Sequence, residues 1–119
     1  MSLRFANRFD GQVALLTGSA ATNKDELMGF GGATVWRFLE EGGNGVVITD
    51  VQDDIGEKSA QQLRDAGYDA IYLHLDVTVE EEWEAVVEAT MEHFGRIDIL
   101  VNIAGILDPK PILDIEPSV

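Results

Sequence analysis

The sequence predicts an α/β fold, a doubly wound sheet of parallel strands with helices packed on its faces. Two observations predict it. Short aliphatic runs rich in β-branched residues alternate with amphipathic runs of helical length from one end of the chain to the other. The connections between them are short and bounded by Gly or Asp, as right-handed strand–helix–strand units require.

The elements follow in order. "QVALLT" (12–17) reads as the first buried strand, and Gly18 turns the chain at its end. The next helix is predicted over about 30–41. An earlier start, with Thr22 as N-cap, would bury three glycines in a helix interior at roughly 1 kcal/mol each relative to alanine. "GVVIT" (45–49) is the second strand, 53–66 the second helix and "AIYLHL" (70–75) the third strand. The third helix, 79–94, repeats Trp83, Val86, Val87, Thr90, Met91 and Phe94 at three- and four-residue spacing, with glutamates on the other side. Thr78 with Glu81 forms the pattern of a capping box at its start, and Gly95 is placed to end it. "IDILVN" (97–102) is the fourth strand. The tail "LDPKPILDIEPSV" carries all three prolines and is predicted to be a loop.

At 119 residues the chain is expected to form a single domain over 1–119, with a core at about 9–107 and a tail at 108–119. There is no repeat, low-complexity tract or linker. A net charge of −14, from 22 acidic and 8 basic residues, disfavours nucleic acid and anionic membrane as partners. Without cysteine there is no disulfide, no thiolate nucleophile and no cysteine-ligated zinc. The N-terminus "MSLRFANRFDGQ" lacks an apolar signal core and no run reaches bilayer length, so a cytoplasmic setting is expected.

Several residues fall at the predicted carboxyl ends of strands, where open parallel sheets bind ligands. Gly18 allows a sharp turn and close approach of a ligand to the backbone, with Ser19 beside it. Gly29, Gly31 and Gly32 stand where the first helix opens and its free N–H groups favour a pyrophosphate. Asp50, with Val51 after it, ends "VVITD" nineteen positions beyond Gly31. A carboxylate there can accept hydrogen bonds from ribose hydroxyls and repels a 2′-phosphate, favouring NAD over NADP. Asp76 and Val77 end the third strand, and "NIAG" (102–105) ends the fourth.

Thr17-Gly18, Gly29-Phe30-Gly31, "VVITD", "LHLDVT" and "FGRIDILVNIAG" together resemble the N-terminal half of a short-chain dehydrogenase/reductase, over about residues 9–118. The resemblance implies a Rossmann-like sheet of about four strands in the order 3-2-1-4 with three helices, and NAD as cofactor. It implies that Gly18, Phe30 and Gly31 approach the pyrophosphate and adjoining ribose. Asp50 would hold the adenosine ribose, and Asp76 and Val77 would flank the adenine. Asn102, Ala104 and Gly105 would wall the pocket beside the first strand. In complete relatives a tyrosine acts as general acid/base while hydride passes to or from the nicotinamide.

Three departures qualify the resemblance. Ten residues separate Gly18 from Gly29, where the family has three between its first two glycines. That extension costs on the order of 1 kcal/mol in closure entropy. It also brings Asp25 and Glu26 toward the phosphates with only Lys24 to offset them, so the cradle is expected to be present but weakened. Ile103 replaces the second Asn of the family's "NNAG". The sequence ends at Val119, before the family's catalytic Ser and Tyr-x-x-x-Lys, and neither Tyr68 nor Tyr72 has a lysine four residues on. No catalytic residue is therefore assigned, and the chain is expected to supply the NAD-binding portion of an oxidoreductase. The alternative is a non-catalytic association module, or a truncated fragment, with weak or no nucleotide binding. An open edge at the fourth strand and a thinly covered face predict self-association.

Rival motifs fail on chemistry. "GSAATNKD" lacks the second glycine and the hydroxyl of a phosphate-binding P-loop, placing Asp25 where magnesium's ligand belongs. "NKDE" has no phosphate loop to accompany it. His74 and His93 are better explained by packing and capping than as metal ligands. The glutamates of "EEEWE" (80–84) belong to a helix's first turns, where the dipole favours negative charge.

Overall fold

The structure, a computed structural model, describes residues 9–20 and 30–103. Its elements are β1 (Val13–Thr17), α1 (Phe30–Glu40), β2 (Gly45–Asp50), α2 (Asp53–Asp65), β3 (Ala70–His74), α3 (Glu80–Phe94) and β4 (Ile99–Asn102). The strands form one parallel sheet in the order β3-β2-β1-β4, as expected. Every residue of β1 is buried, because it has a strand on either side and helices above and below. Alternation along the strands sorts the core into two layers. Ala14, Leu16, Val46, Ile48 and Tyr72 face α1 and α2, meeting Val35, Phe38, Leu39, Ala60 and Leu63. Leu15, Val47 and Leu75 face the other way and meet Val86, with Trp83 and Phe94 packed alongside.

The "GRID" segment has a structural role of its own. Arg96 grips both oxygens of the Asp98 carboxylate at 2.8 Å. That carboxylate accepts the Val13 N–H at 2.8 Å, while the Asp98 N–H donates to the Val13 carbonyl at 2.9 Å. The side chain thus starts the β1–β4 ladder one residue before the strand itself. The Arg96 guanidinium holds the Asp98 carboxyl below the usual carboxylate range.

Most predicted boundaries fall within a residue or two of the observed ones. The capping box is a correction: α3 has Val79 as N-cap with no side-chain cap bond. Both the Thr78 N–H and the Thr78 hydroxyl donate instead to Asp76 Oδ1, at 3.0 and 2.6 Å. Asp76 thereby takes the Thr78 N–H that the Glu81 carboxylate would accept in a capping box, and the hydroxyl turns to the same carboxylate. Gly95 ends α3 as predicted, with φ 77° and its N–H on the Met91 carbonyl. The predicted tail at 108–119 lies outside the described residues, and so do residues 21–29 of the lengthened turn.

Candidate functional site

The predicted site residues that the structure describes gather at the carboxyl edge of the sheet. Gly18 leaves β1 with φ 64°, a conformation that disfavours any side chain. Gly31, in the first turn of α1, lies directly against this turn. A Cβ built on it would stand 2.9 Å from Ser19 Cα and 3.1 Å from the Gly18 carbonyl oxygen. The two glycines thus converge although ten residues intervene between Gly18 and Gly29. The first turn of α1 carries no acidic side chain, whereas α2 opens with Asp53 and Asp54 and α3 with Glu80, Glu81 and Glu82. The positive end of the α1 dipole therefore has no carboxylate of its own first turn to offset it.

Hydrogen bonds lock the turn. The Ser19 hydroxyl is buried, donating to the Leu16 carbonyl at 3.0 Å and accepting the Thr49 N–H at 3.2 Å. Its side chain ties β1 to β2 and is not directed to the surface. The Ser59 hydroxyl donates to the Ala20 carbonyl from α2.

Asp50 closes β2. Its Oδ1 accepts the N–H groups of Val51 at 2.7 Å and Gln52 at 3.4 Å, and its Oδ2 accepts the Ala20 N–H at 3.2 Å. One carboxylate thereby joins the end of β2 to the glycine turn and keeps acceptor capacity on Oδ2. It is not the cap of α2: Gln52 holds that position without a side-chain bond. Val51 is exposed beside it.

Asp76 and Val77 follow β3, which ends at His74, one residue short of the predicted 70–75. The Trp83 indole N–H donates to the Val77 carbonyl at 2.9 Å, and the Asp76 N–H donates to Glu82 Oε1 at 2.8 Å, so α3 holds this segment in place. Thr78 keeps the Asp76 carboxyl below its ordinary value.

Between Asp50 and Asp76 lies a polar network that sequence reasoning missed. Tyr72 Oη is 2.7 Å from the Asp50 carbonyl and 2.6 Å from Asp53 Oδ1. His74 Nδ1 is 2.8 Å from the same Asp53 oxygen, and its Nε2 is 3.4 Å from Glu82 Oε1. Tyr72 and then His74 lower the Asp53 carboxyl; burial, then Asp53, pushes the Tyr72 phenol up; Asp53 foremost raises His74. His74 is therefore neither the packed nor the capping residue that the sequence suggested; its ring sits between the Asp53 and Glu82 carboxylates. The alternation of Tyr72, His74 and Asp76 was the available signal; the second-strand register was needed to use it. His93 lies 3.1 Å from Asp69 and edge-on to Phe94.

At the end of β4, Asn102 Oδ1 accepts the Thr17 hydroxyl at 2.7 Å, and the Thr17 oxygen accepts the Ile103 N–H at 3.1 Å. Ile103 is buried in the core, so apolar packing replaces the polar group that the family carries there. Gly29, Ala104 and Gly105 lie outside the described residues, and Phe30 is described only as the first residue of α1. Among the described residues, no helix is long and apolar enough to cross a membrane and no cluster of metal-ligating side chains occurs.

The chain is similar to proteins of one kind. It is 40% identical over 104 residues to a 2,5-dichloro-2,5-cyclohexadiene-1,4-diol dehydrogenase of Sphingobium indicum, covering 87% of this chain and 38% of that protein. A short chain dehydrogenase/reductase from Burkholderia phymatum, solved in complex with NAD, superposes with a TM-score of 0.68 at 30% identity, over 77% of this chain and 30% of that one. An NAD+-bound xylitol dehydrogenase gives 0.66 at 32% identity, over 78% of this chain and 33% of its own. The chain therefore spans under two fifths of the length of these relatives. The sequence profile of the short chain dehydrogenases matches residues 12–119, and the chain belongs to that family.

Proposed function

We propose that this chain forms the cofactor-binding portion of an NAD-dependent oxidoreductase acting on an alcohol or carbonyl. The observation that carries the reading is the approach of Gly31 to the Gly18–Ser19 turn, so close that a Cβ on Gly31 would clash with backbone. A glycine on each side of the contact, with no acidic side chain in the first turn of α1, suits a pyrophosphate. The NAD-bound relatives support the same cofactor. When bound, NAD would supply the hydride acceptor or donor.

In this reading Gly18, Ser19, Gly29, Phe30 and Gly31 line the phosphate side, Ser19 through its backbone. Asp50 and Val51 take the adenosine ribose, Asp76 and Val77 the adenine, and Asn102, Ala104 and Gly105 the wall beside β1. The Asp50 carboxylate favours NAD over NADP, since a 2′-phosphate would meet it charge to charge. A single domain, a cytoplasmic setting, and self-association through the open edge of β4 belong to the same reading.

Calorimetric titration with NADH and NADPH tests it. NADH should bind and NADPH more weakly. Asp50→Ala should weaken NADH about tenfold, the loss expected for hydrogen bonds to a charged acceptor. Absence of NADH binding, or equal affinities for the two dinucleotides, would overturn the assignment of cofactor or of preference respectively.

A further inference from the structure

We propose that His74 is a positioning residue that clasps together the two walls of the adenosine end of the cofactor site, and that its protonation tightens dinucleotide binding. The inference rests on the cofactor reading above. It begins with the register: His74 is the strand partner of Asp50 across β2 and β3. Its ring stands between two carboxylates that each secure one wall. Asp53, 2.8 Å from Nδ1, opens α2 and shares Tyr72 with the Asp50 carbonyl, so it anchors the Asp50–Asp53 connection. Glu82, 3.4 Å from Nε2, accepts the Asp76 N–H and so anchors the segment of Asp76 and Val77.

The chemistry of the ring decides which protonation state fits. A neutral imidazole has one N–H and one lone pair, so one of these carboxylates would face a lone pair. The imidazolium donates to Asp53 and sets its positive charge 3.4 Å from Glu82, so it suits both. Among the described residues, the charged groups that face the ring are Asp53 from α2, Glu82 from α3 and Asp76 from the segment between, all acidic, with the Tyr72 phenol beside Asp53. They raise His74 above its ordinary value of 6.5, Asp53 most strongly. A histidine whose folded value is raised stabilises the arrangement fully below the unfolded value and loses that contribution as pH rises through the folded one. Above that point the walls lose their common cation, and three uncompensated carboxylates stand near a dianionic ligand. Affinity for NADH should therefore fall with rising pH.

NADH titrations of wild type, His74→Gln and Glu82→Gln at about pH 6 and about pH 9 test the clasp, with NMR following the His74 ring. Wild type should lose roughly two- to fivefold in affinity across this range, the size an exposed ion pair can transmit. His74→Gln should bind at both pH values with the weaker affinity and no such slope. Glu82→Gln keeps an acceptor for the Asp76 N–H but removes the charge, so it should lower the His74 titration midpoint and shrink the slope. An equal slope in wild type and His74→Gln, or a midpoint unmoved by Glu82→Gln, overturns the inference alone. No NADH binding by wild type at either pH overturns the cofactor reading, and this inference with it.

Discussion

A methyl group on Gly31 is the smallest change that probes the site. It would stand 2.9 Å from a backbone carbon of Ser19, which is itself fixed by bonds to β1 and β2. Backbone on one side and a helix on the other leave no flexible side chain to yield, so α1 must shift. Gly31→Ala should cost about 1–3 kcal/mol in denaturant unfolding, as overpacking generally does. NADH binding should weaken with it. A loss no larger than that of an ordinary surface substitution would mean that the turn and helix meet less closely than described. At this scale the sequence is uneven in what it discloses. Gly18, Gly31 and Asp50 are legible because each serves a local need, a turn, a close approach or a strand end. The contacts of His74 are not, because Asp53 lies 21 residues away and is brought near only by the β2–β3 register.

The elements themselves were largely readable, since buried strands and amphipathic helices announce their period. Their ends were less so. The start of α3 turned on a competition between two acceptors for Thr78, and only the conformation of the preceding segment decides it for Asp76. The end of α3 had no competitor. Gly95 adopts the left-handed region, and a Cβ there would meet nothing within 4 Å. The cost of a side chain is thus conformational alone. Gly95→Ala should lower stability by about 1–2 kcal/mol, and Gly95→Asn by less, because asparagine tolerates this conformation. Thermal melts of the two variants beside wild type check the order; equal losses would point to a steric cause.

At the scale of the whole sheet, the strand order leaves β3 and β4 as edges among the described residues, and the described helices cover its two faces unequally. Among the described residues, α1 and α2 lie on one face and α3 on the other, where Leu100 of β4 and Val87 and Met91 of α3 are exposed. Leu100, at 56% accessible, sits on a strand that among the described residues is paired on one side only, so apolar surface and an open strand edge coincide there. Light scattering at concentrations on the order of tens of micromolar should find dimers or larger species, and Leu100→Lys should reduce them. A monodisperse wild-type monomer would count against association. The carboxylate grip of Asp98 on Val13, spanning 85 positions, has a further consequence in time. As a ribosome releases the chain, β1 can zip onto β2 early, but its other flank waits until nearly the last described residues emerge. β1, buried along its whole length in the folded sheet, is thus half-naked until β4 follows it, and that interval is when a chaperone would have a strand to hold.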